Sequence, residues 1–282
     1  MLDDLQSRIF YDQDLQRDFD RDGYVVIEFL GSQELISLQS IFAKHQHHHE
    51  QAGFSATILN SDLDYRQTVH QEISVIIGGI VEAIISDYRL VCCGFAVKQP
   101  SQVGGEMPLH QDITMVESEP RPGISIWAPL VDVDQFNGCL QLVAGSHHLN
   151  FNCPLRAPGA PFVCTHLETE IRDHYLQSIP LQAGQAIIMN HATFHASEGN
   201  RSRSVRPVVA NVLAPNGQSL NYYYRHKNDV DTRLEAFEVD EHFFLRHSLG
   251  ARPHDSESLG FFPETIDWIS AASLAEYLSV RH

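Results

Sequence analysis

Apolar residues are spaced at a helical repeat in the first third of this chain and as strands after it. Asp14 to Asp22 reads as a short helix stopped by Gly23, and Tyr24–Phe29 as the strand that follows. Ser32 is placed to cap a helix running to about His49, with Leu35, Leu38, Ile41 and Phe42 turned inward. Val69, Ile73, Ile76, Ile77, Ile80 and Ile84 then form the apolar stripe of a longer helix, about Gln67 to Asp87. From Arg89 onward the pattern predicts strands at Leu90–Lys98, Ile124–Val133, Leu140–Val143, Ser178–Leu181, Ala186–Asn190, Val205–Leu213 and Leu220–Arg225. Pro100, Gly104, Gly105, Gly123, Gly138, Gly145 and Gly184 punctuate them.

Many short strands behind two helices predict a mainly β fold. The architecture expected is a double-stranded β-helix, a cupin-like jelly roll, with helices packed outside it. A doubly wound α/β sheet is disfavoured because strands and helices do not alternate. The chain reads as a single domain over 1–282: helical support at about 1–88, a jelly-roll core at about 89–226 and a C-terminal extension at 227–282. Phe151 to Tyr175 breaks the pattern with Pro154, Pro158, Gly159 and Pro161, then Glu168, Glu170 and Asp173. It reads as a lid over the barrel mouth or as an ordinary surface loop.

Composition narrows the partners. With 36 Asp and Glu against 19 Lys and Arg, the net charge of −17 argues against nucleic acid and against anionic membrane surfaces. The longest apolar segment, Ile73 to Ile85, is too short to span a bilayer and contains Glu82. The N-terminus shows no basic stretch followed by an apolar run, so no secretory signal is expected. Five cysteines without a CxxC pattern read as buried free thiols in a reducing cytoplasm. Cys92 and Cys93 should point to opposite faces of a strand. The run His45, His47, His48 and His49 reads as solvated histidines near a helix end.

Three distant stretches fit one iron site: His110-Gln111-Asp112, His195 and Arg206. Two imidazoles and one carboxylate make the facial triad of a non-haem Fe(II) oxygenase and leave other metal positions open. On a strand, positions i and i+2 share a face, so His110 and Asp112 can grip one ion together. Arg206, eleven residues after His195, is far enough to return on a neighbouring strand. A buried guanidinium there can hold a dicarboxylate by paired charge-assisted bonds. His-x-Asp alone is weak in a chain with 17 histidines. Arg206 also fits a surface run with Arg201 and Arg203, and Trp127 fits core packing beside Ile124, Ile126 and Leu130. His191 shares strand parity with His195 and is a rival ligand.

The wider pattern is more specific. Met107-Pro108-Leu109-His110-Gln111-Asp112, Trp127 and Asn137-Gly138-Cys139-Leu140 make up its first half. His195-Ala196-Ser197-Glu198-Gly199-Asn200-Arg201-Ser202 and Arg206-Pro207 make up its second. Together they resemble the phytanoyl-CoA dioxygenase family of Fe(II)/2-oxoglutarate oxygenases over about Lys98 to Val212, and Phe19 to Val26 looks like that family's opening. The resemblance implies His110, Asp112 and His195 as iron ligands. It implies Arg206 and Ser197 on the far carboxylate of 2-oxoglutarate, with Gln111 and Trp127 lining the cosubstrate pocket. The same pattern selects His195 over His191 as the distal ligand. Lys98 matches a family Lys-Pro-Pro element without an assigned role, and Glu106 replaces the family's basic residue near the motif.

The resemblance implies O2 as the second cosubstrate and succinate and CO2 as products. Halogenases of this architecture carry Ala or Gly where Asp112 stands, so hydroxylation or a related C–H oxidation is favoured over chlorination. The acidic balance favours a small-molecule substrate over an acyl-CoA, whose phosphates want a basic mouth. Tyr65, Arg66, Phe136 and His191 are the candidate substrate contacts. The competing readings are an acyl-CoA hydroxylase, a non-oxidative metal enzyme on a cupin-like barrel, and a catalytically silent binding protein.

Overall fold

A computed structural model of the chain describes residues 8–101, 104–116, 121–152, 155–226, 232–264 and 269–279. Helix α1 (Gln13–Asp22) begins at Asp12, whose carboxylate accepts from the backbone N–H groups of Asp14 and Leu15 at 2.7 and 3.2 Å. It ends at Gly23, which sits at φ +80° and donates its N–H to Phe19 O. Only glycine fits there, since a Cβ would lie 2.4 Å from His147 Nδ1. Strand β1 (Tyr24–Glu28), helix α2 (Ser32–His45), strand β2 (Phe54–Ala56) and helix α3 (Leu63–Ile84) complete the N-terminal part. Gly31, not Ser32, caps α2. Helix α3 starts earlier than its apolar stripe, because the Asp62 carboxylate caps it by accepting from Tyr65 N–H at 3.0 Å.

The histidines after α2 are not all solvated. The chain tightens into a 3₁₀ turn at Gln46–His49 and drives His49 into the interior. There its ring nitrogens bond Ser55 Oγ at 2.8 Å and Tyr65 Oη at 2.6 Å. His45 is buried beside Glu72 at 3.0 Å, and His48 stacks on Tyr65. Burial, reinforced by the neighbouring histidines, pulls the His49 pKa down to about 4. Between pH 6.5 and 4 the unfolded chain therefore binds a proton here that the folded chain refuses, and stability falls as pH falls. The loss should approach about 3 kcal/mol at the acid end. Urea midpoints at pH 7 and 4.5 measure it, and His49→Gln should flatten the dependence.

The remaining strands are β3 (Tyr88–Lys98), β4 (Met107–His110), β5 (Ile124–Pro129), β6 (Leu140–Leu142), β7 (Gln177–Ile179), β8 (Gln185–Asn190), β9 (His195–Ser197), β10 (Arg206–Pro215), β11 (Leu220–His226), β12 (Arg233–Val239) and β13 (Ser258–Pro263). A six-stranded antiparallel sheet runs β1-β8-β5-β10-β3-β2 and a four-stranded one β4-β9-β6-β7. From β3 to β10 the chain passes back and forth between the two, which is the path of a jelly roll. The larger sheet packs Phe95, Val97, Ile126, Ile188 and Val209 against Leu38, Val69, Ile73 and Ile77 of α2 and α3. The N-terminal part thus covers one face and also lends β1 and β2 to the sheet's two edges.

The C-terminal residues are not a loose extension. Strand β12 pairs with β11 on one side and β13 on the other in a three-stranded sheet, so β11 belongs with them and not with the barrel. Helices α4 (Glu168–His174), α5 (Phe243–Arg246) and α6 (Ala271–Ser279) fill the periphery. Leu274 and Leu278 of α6 join Val163, Cys164, Ile171 and Phe194 in a separate apolar cluster. Cys92, Cys93, Cys139 and Cys164 are free and buried, while Cys153 lies outside the described residues. Cys93 faces the helices, as expected from its parity. Among the described residues no helix is long and apolar enough to cross a membrane.

Candidate metal centre

Strands β4 and β9 are short, and their pairing sets His110 directly opposite His195. The two imidazoles meet with ring centroids 4.1 Å apart. Each ring is oriented by its own chain: His110 Nδ1 bonds Pro108 O at 2.7 Å, and His195 Nδ1 bonds Thr193 O at 2.9 Å. A carbonyl only accepts, so both Nδ1 atoms carry the proton and both Nε2 atoms keep a free lone pair. Asp112 lies just past the end of β4, so strand alternation alone does not place it. Its N–H donates to His191 O at 2.9 Å, and its Oδ2 accepts from Ser125 Oγ at 2.9 Å. Oδ1 is left facing His195 Nε2 at 3.7 Å.

One ligand atom from each of His110, Asp112 and His195 lies within 4.8 Å of the other two. Among the described residues no other group of His, Cys, Asp and Glu is so arranged. Burial, reinforced by His195, lowers the His110 pKa to about 4, which keeps the imidazole neutral at physiological pH. Burial works against the Asp112 charge, but His195, His191, His110 and the Ser125 hydroxyl outweigh it and hold the carboxyl below its usual value. The cluster therefore brings together two imidazoles, each oriented through its Nδ1, and one anionic oxygen donor.

These groups open on a cavity of about 230 Å³ whose walls include Ile126, Trp127, Met189 and Val212. Arg206, the first residue of β10, also lines it and is 2% exposed. Its guanidinium carbon sits 5.4 Å from the Trp127 ring centre, and a single 3.3 Å bond reaches Ala96 O. Arg206 Nε has no hydrogen-bond partner. Lys98, in register with Arg206 on β3, is fully buried beside it. Its Nζ donates to Ser197 Oγ at 2.7 Å, to Ser197 O at 3.1 Å and to Glu198 O. Burial, then the charge of Arg206, pulls the Lys98 pKa down to about 7; burial also draws Arg206 down to about 9. A buried guanidinium with an unspent donor at Nε makes a site that wants an anion.

The phytanoyl-CoA dioxygenase (PhyH) family model matches residues 19–208 of this chain. The chain belongs to the phytanoyl-CoA dioxygenase family. Curated relatives include phytanoyl-CoA dioxygenase domain-containing protein 1 of Danio rerio, 31% identical over 119 residues, 40% of either protein. Phytanoyl-CoA dioxygenase 1 of Oryza sativa subsp. japonica is 30% identical over 111 residues, 38% of either protein. The matched stretch thus spans well under half the length of these relatives. Among solved structures, the epimerase SnoN in complex with Fe3+, alpha ketoglutarate and nogalamycin RO is 21% identical at a TM-score of 0.53, covering 74% of this chain and 85% of that one. HygX from Streptomyces hygroscopicus with nickel and 2-oxoglutarate is 14% identical at 0.51, covering 73% and 88%. At such identities the likeness is one of fold.

In this phytanoyl-CoA dioxygenase family member several expected contacts lie elsewhere. Gln111 turns away from the cavity and donates to Ala192 O at 2.8 Å, holding the loop that leads into β9. His191 is buried behind Asp112 against Gly123, where a Cβ would come within 2.5 Å of its Nδ1. Tyr65 is occupied by His49 and Thr57 in the helix-side core. Phe136 is 59% exposed on the turn before β6. Arg66 is buried, but against an adjoining cavity and not this one. Two residues of the site carry too little local pattern to be singled out. Ser125 is a small polar residue in an apolar strand, and Arg156 sits in the irregular segment. Arg156 Nε donates to Asp112 O at 2.7 Å and its N–H to Thr114 Oγ1 at 2.9 Å. Part of that segment therefore packs on the ligand loop, and its next stretch builds Thr165–Leu167 and α4; Cys153 and Pro154 lie outside the described residues.

Proposed function

We propose that this chain is an Fe(II)- and 2-oxoglutarate-dependent oxygenase that hydroxylates, or otherwise oxidises, a C–H bond of a small molecule. The observation that carries this reading is the buried guanidinium of Arg206 lining the same cavity as the His110–Asp112–His195 cluster, with buried Lys98 in register beside it. A non-oxidative metal enzyme needs the cluster but has no use for a cationic wall. The donor set fits iron, because two bare Nε2 atoms and one carboxylate oxygen converge and leave the cavity side open. The cationic wall fits a carboxylate, because Arg206 Nε is unpartnered.

His110, Asp112 and His195 would hold the iron, and Arg206 and Ser197 the far carboxylate of 2-oxoglutarate, with Lys98 holding Ser197 in place. When bound, the metal and cosubstrate supply, with O2, the oxidation of an unactivated C–H bond, with succinate and CO2 as by-products. The chain's own part is positioning and exclusion of water. Trp127 keeps the guanidinium flat against the wall, and Ser125 fixes which Asp112 oxygen stays free. Ile126, Leu140, Met189 and Val212 keep the reacting volume apolar.

Anaerobic addition of Fe(II) and then 2-oxoglutarate should produce a weak visible charge-transfer band. No band from folded, iron-loaded protein would end the proposal. Acyl-CoA compounds should neither bind nor stimulate 2-oxoglutarate consumption, because a net charge of −17 repels a polyphosphorylated handle. Strong, salt-sensitive stimulation by an acyl-CoA would instead point to the namesake activity.

A further inference from the structure

A second cavity, of about 100 Å³, adjoins the metal cavity; Ala56, Ile58, Ala96, Ala210 and Val212 line both. It is also lined by Arg66, the fourth residue of α3, which is 2% exposed. One nitrogen, Nη2, donates to the carbonyls of Phe244 and His247, and Nε has no partner. Among the described residues no carboxylate pairs with Arg66; the charge partner it has is the Cys92 thiol. Burial pushes that thiol up to about 12, so it is neutral and compensates nothing. The other walls are apolar, with Phe95, Phe244 and Leu245 among them. An uncompensated guanidinium in such a place is costly unless an anion reaches it.

The two chambers share a wall. The strip that joins the cavities is surfaced by Ala96 and Ala210, side chains too small to block it. With 2-oxoglutarate held at Arg206, Arg66 is a second buried cation, lining the adjoining cavity, that no carboxylate among the described residues pairs with.

We infer that the substrate is a small organic acid whose carboxylate docks on Arg66, whose apolar body lies along Ala96 and Ala210, and whose oxidised carbon reaches the metal cluster. The inference rests on the oxygenase reading and assigns that site a substrate class. Arg66 is then a specificity residue, distinct from the cosubstrate wall.

The test is calorimetric titration of protein loaded anaerobically with Fe(II) and saturating 2-oxoglutarate, which occupies Arg206. Hexanoate and benzoate are compared with hexanamide and benzamide, near-isosteres without the charge. Wild-type protein should prefer each acid to its amide by roughly tenfold or more. Arg66→Gln should remove that preference while the charge-transfer band stays unchanged, and Arg66→Lys should keep part of it. No preference in folded wild-type protein, or a preference that survives in Arg66→Gln, overturns the inference. If Arg66→Gln does not fold, the wild-type comparison and Arg66→Lys decide. If the loaded complex never forms, the oxygenase reading fails first. The same titration on metal-free Arg206→Gln protein then reads Arg66 alone, and loss of the acid preference there overturns the assignment independently.

Discussion

His110→Ala, Asp112→Ala and His195→Ala should each abolish Fe(II)-dependent consumption of 2-oxoglutarate while the protein stays folded. Each removes one of three protein donors, and the donor atoms lie within 4.8 Å of one another, so no other group takes the place of the one lost. Fe(II) affinity should fall by more than the roughly 10–100-fold typical of losing a group that merely supports a ligand. Ser125→Ala, which strips the hydroxyl from Asp112 Oδ2, should show that smaller effect. His191→Ala is the control. His191 is buried behind Asp112 and outside the cavity lining, so iron should still bind. Equilibrium binding of Fe(II) under anaerobic conditions measures all five variants. Loss of iron in His191→Ala with retention in His195→Ala would mean that the distal ligand has been misassigned.

Arg206→Ala should raise the 2-oxoglutarate requirement steeply without loss of iron. A carboxylate left buried without its partner costs about 3–5 kcal/mol. That corresponds to roughly a few hundredfold to several thousandfold in apparent affinity. Lys98 remains in the Arg206→Ala protein, but its Nζ is already shared among Ser197 Oγ, Ser197 O and Glu198 O, so it cannot restore a paired bond. The effect should fall on the 2-oxoglutarate concentration dependence, with the Fe(II) titration unchanged. Unaltered 2-oxoglutarate binding by calorimetry in this variant rules out the assignment of the cationic wall.

The jelly-roll class, its helical cover and most core strands were legible in the chain. Long apolar runs such as Tyr88–Lys98 and Arg206–Pro215 carry their own signature, because a strand buried on both faces reads the same wherever it lies. The grouping of His110, Asp112 and His195 was legible too, through the spacing of His110 and Asp112 and the element around His195. Short strands were not: β2 and β9 form through pairing with distant partners, and three residues such as His195–Ser197 hold no periodicity.

Tertiary structure alone decided which polar residues share the cavity. Register across β3 and β10 makes Lys98 the neighbour of Arg206, a pairing more than a hundred residues long that no local pattern announces. A hydrogen bond to His191 O, not strand alternation, seats Asp112. Tyr65 and Arg66 are adjacent on α3, yet one is absorbed into the His49 network and the other lines a cavity, because successive helical residues point about 100° apart. The sequence determined the donors and the fold that carries them. The folded chain determined their orientation, their cationic counterpart and the second buried cation, because burial and partnership arise only when distant segments meet.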